Sequence, residues 1–491
     1  MLKHLVEITS TLSEFELYGD INQRITDITA DSRTVQPGGL FVALRGATVD
    51  GHSFLEQAVK KGAKALVVDT LPKKLPEGVA VVLVPDTREA MEVIAPYFFD
   101  YPGRKLRMIG VTGTNGKTTT TNIIQKILNV AGHKAGLVGT INMVVGDEVI
   151  VSHNTTPDVI DLQRVLAAMV EKGCDYCVME VSSHALALKR VAGVEFDCAV
   201  LTNITQDHLD FHKTMDNYRD AKSILFEGLS EGVKTNKTAV FNMDDASSPV
   251  IKARTGTPVL IYGMQDTNDI YPKEVKIFAR GMDVQLVTPQ GIMQLHTKIT
   301  GAFNVYNIMS AVGALLAEGI DIKIIEREIC AFVGVAGRFQ LVDCGQDFTV
   351  VVDYAHTPDG LENVLNTARK ITENKLWAVF GCGGDRDNTK RPIMGHIAGV
   401  LADNVVVTSD NPRTEDPEKI LDQICGALDD DRKEYVRIAD RREAIGYALQ
   451  NAVKGDVVLI AGKGHENYQI LKTGTIHFDD KKVAEEFLKK C

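Results

Sequence analysis

Long apolar runs, a cysteine framework and a surplus of positive charge are all missing from this sequence. No apolar stretch approaches the ~20 residues that span a bilayer, so a membrane span is not expected. Eight cysteines in 491 residues are too few for a disulfide scaffold and fit a reducing compartment. Cys174 and Cys177 form a lone C-x-x-C that runs into an apolar strand, with no second pair nearby. That favours a reduced core pair over a zinc site. The formal charge of −11 argues against nonspecific binding to nucleic acid or to a membrane surface. Anionic small substrates stay open, because they need only a local basic pocket. Residues 1–17 are amphipathic, with Glu7 and Glu14 among them, and have neither a cationic nor an apolar signal region. No signal peptide is expected, and a cytoplasmic location is. The chain has no internal repeat and no low-complexity segment.

The length points to about three domains. Residues 1–100 alternate short strands (40–44, 65–68, 79–84) with helical stretches, and Pro102-Gly103 punctuates the end of this small α/β domain. Residues 101–337 carry apolar strands at 106–111, 176–181, 198–201 and 239–241, separated by helices. Continuous apolar strands of this kind imply a mostly parallel sheet covered on both faces. From 258 to 300 the pattern alternates, which suggests an antiparallel annex. Helices are expected over 304–318 and 322–332, and a hinge over 334–338. Residues 338–491 restart the rhythm, with strands at 349–352, 377–380, 405–408 and 457–460. The expected fold is α/β in three domains: a small N-terminal α/β domain, a central P-loop-type parallel-sheet domain, and a C-terminal doubly wound, Rossmann-like domain.

The most informative segment is Gly113-Thr114-Asn115-Gly116-Lys117-Thr118-Thr119, between the 106–111 strand and a helix over 117–131. A glycine loop at a helix N-terminus offers backbone N–H groups and a positive dipole end to phosphate oxygens. Lys117 adds a point charge for the β- and γ-phosphates, and Thr118 a hydroxyl for Mg2+. The strict P-loop wants glycine where this chain has Val111, so the loop is a variant, GxxGTNGKT.

Further polar clusters fall at strand ends, where ligands of α/β proteins bind. Glu180 ends one strand and is suited to Mg2+. The next runs into Asn203 to His212, which includes Asp207 and His208. Residues 218–223 read, on composition, as a solvated helix face. Asn154-Thr155-Thr156-Pro157 reads either as a plain helix N-terminus with Pro157 in its first turn, or as an anion site. In the last domain, 353–356, 381–387, 409–413 and 461–466 are four polar loops on one expected binding edge. Arg386 and Arg413 suit carboxylates, Asp410 and Glu466 an ammonium, so together they suit an amino acid.

Taken in order, the 113–118 loop, Glu180-Val181-Ser182-Ser183-His184, the 203–212 run with Tyr218 and Lys222, Gly301 to Asn307, Gly337-Arg338-Phe339 and Asp353-Tyr354-Ala355-His356 resemble the Mur ligases. These are ATP-dependent amide-forming enzymes of peptidoglycan synthesis, and so of cell shape and division. Asp31-Ser32-Arg33 together with 154–157 is similar to the branch that extends UDP-N-acetylmuramoyl-L-alanyl-D-glutamate. Asp410-Asn411-Pro412-Arg413 is similar to the motif of members that select meso-2,6-diaminopimelate. The resemblance implies that residues 1–100 bind the UDP-muramoyl substrate, 101–337 bind ATP and 338–491 bind the amino acid.

It implies residue roles as well. Gly113 to Thr119, Asn304, Arg338 and Asp353 would hold ATP. Thr118, Glu180, His208 and a carbamylated Lys222 would hold Mg2+, with Lys117, Glu180, His208 and Lys222 the catalytic set. Ser32, Asn154, Thr155, Thr156, Ser182 and Arg190 would hold the UDP-muramoyl dipeptide. Arg386, Asp410, Asn411, Pro412, Arg413, Gly462 and Glu466 would hold diaminopimelate. Some relatives have glutamine where this chain has Leu188. A monomer is expected. The alternatives are an L-lysine-adding enzyme of the same branch and a folylpolyglutamate synthetase-like ligase.

Overall fold

Parallel strands need a crossover between one and the next, and in this chain the crossovers are mostly helices. The computed structural model describes residues 1–46, 49–152 and 154–489. The N-terminal domain has a five-stranded sheet in the order Glu16–Tyr18, Ala80–Leu83, Ala65–Val68, Gly39–Val42, Asp27–Thr29. All but the first of these run parallel. The middle domain has eight strands in the order Glu148–Val151, Asn142–Val145, Ala135–Val138, Tyr176–Glu180, Arg107–Thr112, Cys198–Leu201, Thr238–Asn242, Val259–Tyr262. The last six are parallel, and the first two form an antiparallel hairpin on the edge. Val259–Tyr262 thus joins the parallel sheet, although the sequence pattern placed it in the annex. The annex itself is the antiparallel sheet Tyr271–Phe278, Gly281–Thr288, Gly291–Thr297. Its alternating pattern reflects one covered face.

The C-terminal sheet runs Gln340–Leu341, Thr349–Asp353, Val457–Ala461, Leu376–Phe380, Asn404–Val407, Tyr435–Arg437. The last five are parallel. The fold is therefore α/β in three domains, the outer two built around smaller sheets than the middle one. Among the described residues no helix is long and apolar enough to cross a membrane.

By compactness the chain forms two units, residues 1–263 with 310–321, and residues 264–309 with 322–491. In the first unit the N-terminal sheet shares a core with the middle domain. Val159, Ile160 and Ala167 of helix Val159–Glu171 pack in one cluster with Ile28, Leu40, Val67 and Phe98. Arg164 of that helix donates to Asp27 Oδ1 (2.7 Å) and to the Ile28 carbonyl (2.6 Å). Residues 334–338, expected as a hinge, lie inside the second unit. A Cβ on Gly337 would come within 2.2 Å of the His465 nitrogen. Its φ of +66° and that close approach account for the glycine.

In the second unit a buried carboxylate ties the start of the sheet together. Asp456 accepts hydrogen bonds from Asn374 Nδ2 (2.8 Å), Lys375 N (3.0 Å), Trp377 Nε1 (2.9 Å) and Val453 N (3.1 Å). Asp456→Ala strands these donors and should destabilise the domain by roughly 2–4 kcal/mol. The single tryptophan reports on it directly. Urea unfolding followed by Trp377 fluorescence should show a lowered midpoint, and an unmoved midpoint would refute the assignment.

Candidate active site

The strand Arg107–Thr112 passes straight into the glycine loop. Val111 is a buried strand residue, so the turn begins at Gly113, which explains the missing P-loop glycine. Gly113 has φ +147°, and a Cβ there would lie 1.9 Å from Thr202 Oγ1. Gly116, at φ +88°, caps the helix Lys117–Val130. The neighbouring strand end clamps the loop. Thr114 N donates to the Asn203 carbonyl (2.8 Å), Asn115 N to Asn203 Oδ1 (2.9 Å), and Thr202 Oγ1 to the Asn115 carbonyl (2.6 Å). Lys117 Nζ donates to the carbonyls of Gly113 (2.8 Å) and Thr114 (2.9 Å). Thr119 is buried in the first helical turn.

Glu180 is 1% exposed at the end of its strand. It accepts from Thr118 Oγ1 (3.0 Å), Thr140 N (2.8 Å) and Thr140 Oγ1 (3.0 Å). No lysine, arginine or histidine pairs with it among the described residues. A buried carboxylate ringed by hydroxyls and without a counter-charge is the hard-oxygen donor set that Mg2+ takes, so Thr118 and Glu180 fit the ion.

Helix Met215–Glu227 overturns the reading of 218–223 as a solvated face. Tyr218 and Lys222 are each 1% exposed. Tyr218 presents its hydroxyl to Thr114 Oγ1 (3.0 Å). Lys222 lies over the Tyr218 ring (4.7 Å) and donates to the Gly113 carbonyl (2.9 Å). Burial, with Lys117 adding to it, pushes the Lys222 amine well below the usual lysine range. His208 is exposed at φ +53°, with its ring 4.8 Å from that of His184. Burial and then His208 hold His184 below the usual histidine value. No cluster of three or more His, Cys, Asp or Glu residues poised for a metal ion occurs among the described residues. The cysteines at 174 and 177 are buried and unpaired.

Thr155, Thr156, Ser182 and Arg190 gather beside Glu180. Thr156 Oγ1 donates to the Glu180 carbonyl (2.8 Å) and accepts from Ser182 N (3.1 Å). Arg190 Nη1 donates to the Thr156 carbonyl (3.3 Å), and its buried Nε has no partner. Thr155 Oγ1 meets Thr140 Oγ1 (3.0 Å). Asn154 is exposed. The helix starts at Val159 with Asp158 as its cap, so Pro157 precedes the helix and does not sit in its first turn. The cap must be extended, and Asp158 supplies the side-chain acceptor for the first free N–H. Ser32 is buried in the N-terminal domain, where it donates to Gln57 Oε1 (3.0 Å). No hydrogen bond among the described residues joins it to the 155–190 group.

In the second unit Asp353 accepts from Phe339 N (2.7 Å) and Ala355 N (2.8 Å), and Arg338 lies 5.2 Å over the Tyr354 ring. Burial raises the Asp353 carboxyl despite Arg338. Asn304 is buried, with Nδ2 on the Thr300 carbonyl (2.8 Å). The four polar loops do share the carboxyl edge of the sheet, as the parallel registers require. Asn411 Nδ2 donates to Glu466 Oε2 (2.9 Å), and a Cβ on Gly462 would lie 2.8 Å from Asp410 Oδ2. Arg413, at φ +54°, donates to the Gly384 carbonyl (2.7 Å). Arg386 is exposed. The carbonyl of Pro412 packs where a Cβ on Gly384 would fall (2.0 Å).

Three family models match successive parts of the chain: the Mur ligase family catalytic domain over residues 24–98, the Mur ligase middle domain over 111–315, and the Mur ligase glutamate ligase domain over 337–464. This chain belongs to the Mur ligase family. A protein of Bacillus cereus named UDP-N-acetylmuramoyl-L-alanyl-D-glutamate--2,6-diaminopimelate ligase is 47% identical to it, covering 98% of this chain and 97% of that one. A protein of the same name from Geobacillus thermodenitrificans is 47% identical, covering 99% of each. A solved structure of a ligase so named matches at 33% identity with a TM-score of 0.70, covering 100% of this chain and 99% of that one.

Thr140 escaped the sequence reading, and Thr202, Asn203 and Lys463 fell in its polar clusters without a role of their own. Asn203 and Thr202 clamp the glycine loop, and Thr140 holds Glu180. Lys463, fully buried, donates to Glu466 Oε2 (2.8 Å) and Asn411 Oδ1 (3.1 Å). Thr140 follows the end of the strand Ala135–Val138, so the strand-end rule that singled out Glu180 would have found it. Against the cost of burial, Lys463 and Asn411 hold the Glu466 carboxyl below the usual range.

His465 supplies a pH test. Burial, and next Arg338, push its ring down to about 4. The unfolded chain then binds a proton that the folded one does not, so stability is full above the ordinary histidine value and falls as pH drops from about 6.5 towards 4. Urea unfolding at pH 7.5 and 5 should show a larger loss for the native protein than for His465→Gln. Equal losses would contradict the assignment.

Proposed function

We propose that this Mur ligase joins meso-2,6-diaminopimelate to UDP-N-acetylmuramoyl-L-alanyl-D-glutamate at the expense of ATP, in peptidoglycan precursor synthesis. The observation that carries this is the charge set on one sheet edge of the second unit. Arg386 and Arg413 offer cations for two carboxylates, and Asp410 and Glu466 offer anions for an ammonium. Lysine has one carboxylate and would leave one arginine unused. The names of the full-length relatives support the same choice. We assign residues 1–100 to the UDP-muramoyl substrate, 101–337 to ATP and 338–491 to the amino acid. The enzyme acts as a monomer in the cytoplasm, a reducing compartment that suits the unpaired cysteines among the described residues.

The γ-phosphoryl group of ATP passes to an oxygen of the D-glutamate γ-carboxylate, giving an acyl phosphate and ADP. The amine of diaminopimelate attacks the acyl carbon, loses a proton, and phosphate leaves. Two anions must meet in the first step, so positioning and charge compensation dominate the catalysis. The loop amides of Gly113 to Thr119 and the Lys117 ammonium bind and align the phosphates. Asn304, Arg338 and Asp353 bind the nucleoside. Ser32, Asn154, Thr155, Thr156, Ser182 and Arg190 orient the UDP-muramoyl dipeptide, with Thr156 and Ser182 tied to the Glu180 backbone. Thr118 and Glu180, and His208 with a carbamylated Lys222, would hold Mg2+, which would supply positive charge to the reacting anions. Burial disfavours the charged form of the Lys222 amine, and CO2 attack requires the uncharged form, which supports Lys222 as the modified residue.

Phosphate release from ATP with the UDP-muramoyl dipeptide present should depend on meso-diaminopimelate and yield the tripeptide by mass. Release with L-lysine alone would retain the ligase and move it to the lysine-adding group. Silence with both would overturn the substrate assignment and direct the assay to folate. In 13C-bicarbonate the native protein should give a carbamate carbon resonance that Lys222→Met lacks. A resonance shared by both would place the modification elsewhere.

A further inference from the structure

Arg386 and Arg413 stand on two different loops, residues 381–387 and 409–415. A third arginine holds these loops together. Arg391, on helix Lys390–Leu401, is 1% exposed. Its Nη1 donates to Glu415 Oε2 (3.0 Å) and Gln423 Oε1 (2.8 Å). Its Nη2 donates to Glu415 Oε1 (2.9 Å) and to the Gly383 carbonyl (3.0 Å). One guanidinium thus grips Gly383 in the first loop and Glu415 at the end of the second. Glu415 Oε1 also accepts from Asp385 N (2.5 Å), and the Asp385 carboxylate accepts from Thr414 N (3.1 Å) and Thr414 Oγ1 (2.7 Å). Between these bonds Gly384 N donates to the Asn411 carbonyl (2.9 Å), and Arg413 Nη1 returns to the Gly384 carbonyl (2.7 Å).

Two features show that this lattice imposes a geometry. Asp385 and Arg413 both sit at φ +54°, a region that non-glycine residues occupy when their surroundings overdetermine them. Arg391 is also an expensive choice for a core position. Its Nε is buried without a partner, and an apolar side chain would fill the space at less desolvation cost. Retaining a bidentate ion pair there makes sense if the pair fixes where the two loops lie.

We propose that the Arg391–Glu415 ion pair is a positioning device that sets the spacing between Arg386 and Arg413, and through it the preference for an amino acid with a second carboxylate over one without. This rests on the reading of the amino-acid site given above. Arg391 and Glu415 act through the two loops, and Arg386 and Arg413 make the contact with the ligand.

The test compares kcat and KM for meso-diaminopimelate and L-lysine in the native enzyme, Glu415→Gln, Arg391→Met, Arg391→Lys, Arg413→Ala and the double variant Glu415→Gln/Arg413→Ala, with thermal midpoints recorded for each. The native enzyme should discriminate. Glu415→Gln and Arg391→Met should lower the kcat/KM ratio of the two amino acids by about tenfold or more, chiefly through KM for diaminopimelate. Arg391→Lys should recover part of the ratio. In the Arg413→Ala background, Glu415→Gln should cost no further selectivity. A native enzyme that uses both amino acids alike would overturn the site reading and this proposal with it. A discriminating native enzyme whose variants keep its ratio, or lose activity equally towards both amino acids, overturns the positioning role alone. Glu415 is 34% exposed at its side chain, so its variant decides the matter if Arg391→Met does not fold.

Discussion

A carboxylate buried without a counter-charge is the constraint around which the middle domain is arranged. Removing an ion from water is expensive unless other groups replace the lost solvation. For Glu180 the replacement is two threonine hydroxyls and one backbone amide. Glycine at 139 is part of the arrangement, because a Cβ there would lie 2.7 Å from Glu180 Oε1. The nearest strand ends and the phosphate loop follow from the same need, since each supplies a donor or fixes one that does. Lys222 is equally deep, bonds a loop carbonyl, and is pushed by its burial well below the usual lysine range.

The second unit treats charge the other way. Lys463 is already paired with Glu466, Arg391 with Glu415, and Arg441 with Asp480, whose side chains are both fully buried. These ion pairs preset the orientation of the charged side chains, although the buried Nε atoms of Arg338 and Arg391 have no partner.

Much of this was legible in the sequence because parallel strands advertise themselves twice, by continuous apolar runs and by the polar loops at their ends. Glu180, the phosphate loop and the four C-terminal loops all followed from that rule. Lys222 and Tyr218 did not, because Asp216, Asn217, Arg219 and Asp220 give their helix a polar composition. The spacing was the better guide: Tyr218, Ala221, Lys222 and Leu225 fall on one buried face. Within 334–338, Gly337 answers a steric demand from a loop more than a hundred residues away, which the sequence does not show. Loop-to-loop clamps such as Asn203 on the phosphate loop, or Arg391 across two loops, depend on which strands become neighbours, and a single sequence does not list neighbours.

The core shared by the N-terminal sheet and helix Val159–Glu171 has a bearing on how such proteins can be recombined. The family's own division falls near residue 100, but the packing does not part there, since Val159, Ile160 and Arg164 belong to the N-terminal core as much as Ile28 does. A chimera that exchanged residues 1–100 alone with a distant relative would set a foreign sheet against a native helix face. The heritable module is the sheet together with that face, two stretches of sequence that have to travel as one.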